Sequence, residues 1–393
     1  MNGKDIIITG LQNFEMGLGS NCRNIALEFA KDNRVLYVNP PIDRATQIKN
    51  IFDRYNDLQL NGSLKKINDN LFLLTPSVKL SSINWIKNPR LFDFFNKKNN
   101  RRFSKDIGKA ARELGFRNYV LFTDGDMFRS FYMKDMLKPE ISIYYLRDYF
   151  LSVPYWKTHG TRLEPELIKK SDIVFTNSEY LAEYSGKFNS RSLNTGQGCD
   201  FVPAGFRADI PEELKNIKKP LIGYVGALKS LRLDIKLLEA IAMEKKEWEF
   251  VFVGPEDKEF AESRLHSFPN VHFTGAKSPA SLYNYIAAFD VCLNPQLLNE
   301  VTVGNYPRKI DEYLSLGKPV VATRTPAMEM FSEHVFLASG KDEYIKMIAM
   351  ALLNRDFGKE KRRAFAKQHT WQNTVRTMYN QIDKMFKGGY AAN

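Results

Sequence analysis

Short apolar runs recur along this chain at 5–9, 34–39, 71–75, 119–123, 141–146, 172–176 and 191–194. They are rich in Ile, Val, Tyr and Phe, and several are apolar on both faces. A strand of that kind needs a helical layer on each side, which is the arrangement of a parallel sheet. Helical patterns fall between the runs, at 21–31 with Ile25, Leu27, Phe29 and Ala30, and at 163–170. The alternation lapses over 201–219, where Pro203, Gly205 and Pro211, with Pro220 just beyond, mark a linker region. It then restarts, with strands expected at 221–225, 248–253, 271–274, 291–294, 319–322 and 335–338 and helices at 234–244, 281–289, 307–316 and 343–354. Each half is a separate βαβ array. The expected class is α/β, with two Rossmann-like doubly wound parallel-sheet domains facing a central cleft walled by strand carboxyl ends and loops.

A length of 393 residues suits two such domains. The first run follows the N-terminal methionine too closely, and is too short, to read as a signal peptide. No stretch reaches the roughly 18 uninterrupted apolar residues of a membrane span. Cys22, Cys199 and Cys292 are odd in number and far apart, so reduced thiols are expected rather than disulfides or a zinc site. These features together predict a cytoplasmic protein.

Three segments carry candidate chemistry. In the first, a loop over 9–21 holds Gly10, Gly17 and Gly19 between the first strand and a helix, with Ser20 or Asn21 placed as N-cap. Such a loop lets a ligand approach the backbone and a helix N-terminus meet an anion, although the G-x-G-x-x-G spacing is absent. In the second, Gly226 is followed by Lys229, Arg232 and a helix start at Asp234. Those two cations either neutralise a diphosphate or are merely solvated. Gly254 and the run Gly275-Ala276-Lys277 end the next two strands.

The third segment is 305–323. Pro307 suits a first helical position, and Ile310 and Leu314, four apart, face the core. Lys309 and Glu312, three apart, share another face. A carboxylate there can accept both hydroxyls of a ribose, with Lys309 or Arg308 on phosphate. An ordinary surface ion pair has the same spacing. Gly317 ends the helix and a buried strand follows.

Pro307, Lys309, Glu312, Tyr313, Leu314, Gly317, Pro319, Val320 and Val321 match the pattern P-x-K-x-x-E-Y-L-A-x-G-x-P-V-V. This resembles the donor-binding signature of GT-B glycosyltransferases, the family 4-like (group 1) enzymes of bacterial polysaccharide assembly. Segments 271–277, 282–285, 288–295, 170–181 and 366–371 are similar to further parts of that family. The resemblance implies a GT-B fold, with residues 1–205 as an acceptor-side domain, 206–370 as the nucleotide-sugar domain and 371–393 as a helix crossing back. It implies a glycosyltransferase (hexosyl type, read as retaining) that moves sugar from a nucleoside-diphosphate donor to a glycan or lipid-linked acceptor in cell-surface polysaccharide assembly. Glu312 would hold the ribose and Arg308 with Lys309 would lie by the diphosphate or the transferred sugar. Gly17 and Gly19 would approach the diphosphate, and 274–277 would border the base. Gly226, Lys229, Gly254 and Tyr306 complete the donor set, and Lys309, Arg232 and Asp148 are the catalytic candidates. No cofactor is expected, and no metal for the chemistry.

The chain departs from the pattern in three places. Gly304 stands where many relatives carry a further Glu, with Glu300 upstream. Ala227 and Leu233 occupy positions where an Arg and a Lys are usual, and Lys229 and Arg232 are the nearest substitutes. His159 is the only His of the first domain, and no motif places it in the cleft. A retaining route needs no strong base, because the departing phosphate takes the acceptor's proton. An inverting route needs a carboxylate such as Asp148, then Asp124 or Asp126. A GT-B nucleotide-sugar 2-epimerase and a non-catalytic nucleotide-sugar-binding protein are the rival functions.

The net charge is +12, and residues 79–117 hold eleven Lys/Arg against three acids. Within them Trp85, Phe92, Phe94, Phe95 and Phe103 alternate with the cations. Segment 85–117 reads as a peripheral contact with an anionic membrane surface, or as a domain helix with solvated charges. Nucleic acid is not an expected partner.

Overall fold

A computed structural model describes residues 1–15, 20–41, 62–203 and 205–387. The chain divides into two compact units, 1–196 with 374–393, and 197–373.

Among the described residues the first unit holds an eight-stranded sheet. Its strands are β1 (Asp5–Gly10), β2 (Arg34–Val38), β3 (Ser63–Lys66), β4 (Leu71–Thr75), β5 (Val120–Asp124), β6 (Ile141–Leu146), β7 (Ile173–Thr176) and β8 (Ser192–Asn194). The order is β3-β4-β2-β1-β5-β6-β7-β8, and every pairing is parallel except β3 with β4. β3 is the strand that the sequence pattern does not announce. Its Ser-Leu-Lys-Lys is largely exposed, as suits an edge strand that needs no apolar face. The helix expected at 163–170 begins at Pro154 instead, a residue already set for a first helical turn.

The second unit is a six-stranded, wholly parallel sheet. Its strands are β9 (Leu221–Val225), β10 (Glu249–Val253), β11 (Val271–Gly275), β12 (Val291–Asn294), β13 (Val320–Thr323) and β14 (Phe336–Ala338). Alternate residues of β9 enter opposite cores. Leu221 and Val225 pack with Tyr285, Phe289 and Tyr313, while Ile222 and Tyr224 pack with Leu238, Phe252 and Tyr344. Burial on both faces is why these strands read as unbroken apolar runs.

The order β11-β10-β9-β12-β13-β14 reverses between β9 and β12. At such a switch point the following loops leave in opposite directions and open a crevice at the strand carboxyl ends. In the first unit the same reversal falls between β1 and β5.

Candidate functional site

In the second unit the switch point is bounded by Gly226 after β9 and by Asn294 at the end of β12. The two loops are laced together: Asp234 N donates to Pro295 O (3.0 Å), Leu297 N to Arg232 O (2.9 Å) and Asn299 Nδ2 to Leu231 O (2.9 Å). Gly226 and Gly254 adopt φ of +139° and +154°. A Cβ on Gly254 would lie 1.9 Å from the Gly226 carbonyl oxygen, so the turns after β9 and β10 approach as only glycine permits.

Lys309 reaches this point from the helix Lys309–Ser315. Its Nζ donates to Tyr224 Oη (2.5 Å) and lies 4.2 Å from the centre of that ring. A Cβ on Gly226 would come within 3.1 Å of the same Nζ. Glycine at 226 therefore gives the ammonium its place beside the end of β9.

The partner of Glu312 is Arg308, whose Nε donates to Oε1 at 2.7 Å, and not Lys309. Both side chains are mostly buried, at 24% and 14% exposure, so this is no solvated surface pair. The Arg308 guanidinium also lies 5.9 Å from the Trp371 ring centre. Pro307 is not the first helical residue. It sits ahead of the cap Arg308, and its carbonyl accepts from Ile310 N (2.9 Å) in a tight preliminary turn. Ile310 and Leu314 are wholly buried as expected. Gly317, at φ +72°, closes the helix, with Lys318 N on Tyr313 O and Gly317 N on Leu314 O.

The other candidates in this unit are distributed around that centre. Lys229 is exposed and Arg232 half-buried in the loop after β9. The helix that follows is capped by Asp234, whose carboxylate accepts from Leu237 N (2.9 Å). That carboxylate occupies the helix N-terminus, so an anion beside this loop would meet Lys229 and Arg232 rather than the helix dipole. Gly275, at φ +70°, and exposed Ala276 end β11, two strands from β9. Lys277 is engaged by Glu213 (2.9 Å). Tyr306 lies in the core, and its hydroxyl donates to Asp311 Oδ2 (2.6 Å).

Three buried groups lie outside the predicted site residues. Asp311 is wholly buried between Tyr306 and His369, whose Nδ1 lies 2.8 Å from Oδ1. Burial pushes this carboxyl above the usual range, against the pull of His369 and Tyr306. The Tyr313 hydroxyl accepts from Val225 N (2.9 Å) and fixes the end of β9. The Asn294 amide is fully buried at the end of β12, and neither its oxygen nor its nitrogen has a hydrogen-bond partner among the described residues. Buried polar groups seldom go unmatched.

In the first unit Gly17 and Gly19 lie outside the described residues. Ser20 caps the helix Asn21–Phe29. Asp148 accepts from Arg147 Nη1 (3.2 Å), whose Nε donates to the wholly buried Asp124 (2.9 Å). Burial raises the Asp124 carboxyl, and Arg147 draws it back down. Asp126 forms a turn with Arg129, which contacts it through both N (3.0 Å) and Nε (2.6 Å). His159 is buried against Phe92, its Nε2 2.7 Å from Ile86 O. The segment 85–117 forms the helix Pro89–Glu113. Phe92 and Phe103 belong to the core, while Trp85 and Phe94 are 76% and 65% exposed. No helix among the described residues is long and apolar enough to cross a membrane.

Residues 219–354 match the family model described as Glycosyl transferases group 1. The chain is 27% identical over 239 residues to a Bacillus subtilis (strain 168) protein named as a teichuronic acid biosynthesis glycosyltransferase, over 56% of this chain. The match spans 59% of that relative's length. Among solved structures, sucrose-phosphate synthase from Thermosynechococcus elongatus has a TM-score of 0.68 at 14% identity, over 98% of this chain and all (100%) of that one. Anabaena HepE in complex with UDP has a TM-score of 0.65 at 16% identity, over 98% and 100%. The E. coli trehalose-6-phosphate structure bound with UDP-2-fluoro glucose has 0.68 at 11%, over 97% and 99%. The fold is thus that of the GT-B glycosyltransferases. The matched residues 219–354 lie in the second unit and take in the segment 305–323 from which the family resemblance was read.

Proposed function

We propose that this chain is a glycosyltransferase of polysaccharide assembly that takes sugar from a nucleoside-diphosphate donor. The observation that carries the reading is Lys309, held by Tyr224 beside Gly226 at the switch point of a group 1 domain, one residue from the Arg308–Glu312 pair. Lys309 and Arg308, with Arg232 and Lys229 from the loop after β9, suit a leaving diphosphate. Preset cations stabilise the charge that develops on it without reorganising. Glu312 is assigned to the ribose hydroxyls. Structures of similar fold bound with UDP-2-fluoro glucose, or with UDP and glucose, make UDP-sugars the first donors to try.

The acceptor is assigned to the first unit and is a glycan or a lipid-linked saccharide. A groove of about 260 Å³ there is lined by Tyr155, Trp156, Asn84, Asn96, Asp126 and Arg129. Aromatic faces with amides and paired charges suit the alternating C–H and hydroxyl surfaces of sugars. A retaining outcome is the simpler reading, the donor phosphate taking the acceptor proton. Asp148, held by Arg147, is the base assigned if the outcome inverts. The exposed Trp85 and Phe94 among the cations of 85–117 suit a peripheral contact with an anionic membrane.

Calorimetry with UDP, GDP and ADP on the wild type and Glu312→Ala tests the donor site. One nucleotide is expected to bind, and the variant to lose on the order of 100-fold in affinity while keeping a native circular dichroism spectrum, at an unfolding temperature lowered because Arg308 loses its partner. Equal affinity in the variant, or no nucleotide bound by the wild type, would overturn the assignment.

A further inference from the structure

The helix Pro89–Glu113 carries a second feature, in a different unit from Lys309 and Glu312. Arg101, Ser104, Lys105, Gly108, Ala111 and Arg112 recur at helical spacing and form one stripe. They wall a groove of about 440 Å³ whose remaining lining includes Phe116, Tyr119, Met136 and Leu137. Arg101, Lys105 and Arg112 are exposed, and none has an ion-pair partner among the described residues. Of the acids on this helix, Asp106 accepts from Val78 N (2.9 Å) and Asp93 pairs with Arg162 (2.7 Å), while Glu113, beside Arg112, is exposed to solvent. Ser104 is 5% exposed, and its Oγ has no hydrogen-bond partner. At Gly108 an added Cβ would meet only ordinary contacts, 3.5 Å from Arg112 Nη1 and 3.8 Å from Leu137 Cδ2. Glycine is not required there by the backbone; its effect is to leave the groove open.

Three unpaired cations, a buried hydroxyl and an apolar floor are together an amphipathic site. A free phosphate would use the cations and leave Phe116, Met136 and Leu137 idle. A nucleic-acid backbone would want a longer basic track without that floor. The same helix face continues to Lys98 and then to Phe94, seven residues and about 10 Å from Arg101, with Leu91 and Trp85 exposed beyond. Exposed aromatic and aliphatic side chains beside unpaired cations match the acyl boundary and the charged headgroups of a bilayer.

We propose that this groove binds the phosphate headgroup of an anionic membrane lipid, with Arg101, Lys105 and Arg112 on the phosphate, Ser104 Oγ as a further donor and the glycerol end on Phe116 and Leu137. The site rests on the membrane reading of 85–117 and makes it specific, because it assigns one headgroup to one pocket instead of diffuse attraction.

The test uses the full chain in three forms beside wild type. Gly108→Leu fills the groove without removing charge and without weakening the helix. Arg101→Gln/Lys105→Gln/Arg112→Gln removes the cations, and Trp85→Ser/Phe94→Ser removes only the exposed aromatics. Each is measured by cosedimentation with phosphatidylcholine vesicles with and without phosphatidylglycerol, and by hydrogen exchange over 101–119 with dihexanoyl-phosphatidylglycerol below micelle formation. Wild type should bind only the anionic vesicles, and the soluble lipid should protect 101–119. Gly108→Leu should lose that protection and roughly tenfold in vesicle affinity, and the triple variant roughly a hundredfold. Trp85→Ser/Phe94→Ser should lose vesicle affinity yet keep protection by the soluble lipid. If wild type binds vesicles and Gly108→Leu binds them equally well, the groove is overturned while the membrane reading stands. If wild type ignores anionic vesicles, both fall. Equal protection of 101–119 by inorganic phosphate or by an RNA oligonucleotide would also overturn the lipid assignment.

Discussion

Tyr224 holds Lys309 in two ways, through its hydroxyl and through its ring face. Tyr224→Phe keeps the cation–π contact and removes the hydrogen bond, so the ammonium stays near its place but swings more freely. Donor affinity should fall about tenfold, while Lys309→Ala should cost a hundredfold or more in turnover. Steady-state kinetics on both variants checks this, and equal losses would mean that the hydroxyl contributes directly. A different residue contributes to the pH response of the first unit. Glu164 is buried between the hydroxyls of Tyr144 (2.9 Å) and Tyr184 (3.2 Å), and burial raises its carboxyl to about 7 despite both hydrogen bonds. In the unfolded chain the same group loses its proton near 4.5. Between those values the folded state binds the extra proton, so stability falls as pH rises and levels off above pH 7. The loss amounts to roughly 3 kcal/mol. Urea titrations of Glu164→Gln should show that slope flattened between pH 5 and 8; an unchanged slope would assign the pH dependence elsewhere.

The turns after β9 and β10 approach so closely that their glycines have no alternative. Gly254→Ala drives a Cβ onto the Gly226 carbonyl, backbone against backbone, at a left-handed φ that side chains avoid. A destabilisation of about 3 kcal/mol or more is expected by urea unfolding. Asp234→Ala, which removes only a cap, should cost about 1 kcal/mol. An intact Gly254→Ala protein would mean that the turn has room that the geometry denies. At this scale the sequence was informative where burial is two-sided: β1, β6, β9 and β12 are runs that only a covered parallel sheet accommodates. β3 escaped because Ser63–Lys66 sits at an edge and presents solvent-facing side chains. The site was legible as a segment and not as a network. Helical spacing allows Glu312 either Lys309 or Arg308, and it is Tyr224, 85 residues away, that takes Lys309 and leaves Arg308 to the carboxylate. Asp311 and His369 meet across 58 residues, and no local pattern encodes such a pair.

On the scale of the molecule, the compact units do not follow chain order, because residues from Thr374 belong to the first one. Within the helix Trp371–Lys387, Val375, Met378 and Ile382 recur at the spacing of one face and are almost wholly buried. Beside them Tyr379 stacks on Phe29, with ring centres 5.4 Å apart, and its hydroxyl accepts from Asn33 Nδ2 at 2.8 Å. Phe29 in turn lies edge-on to Phe122 of β5, so the helix completes a core layer of the first sheet. Truncating Ile382 to Ala leaves a cavity in that layer, with an expected cost of 2–5 kcal/mol by the usual large-to-small range, roughly. The cost should fall on one unit. Hydrogen exchange should show protection lost in β1, β2 and β5, with β9, β10 and β12 keeping theirs. Equal loss in both sheets would mean that the units unfold as one. Retained protection everywhere would mean that residues 374–387 only rest on a core already closed without them, against the burial of Met378 and Ile382.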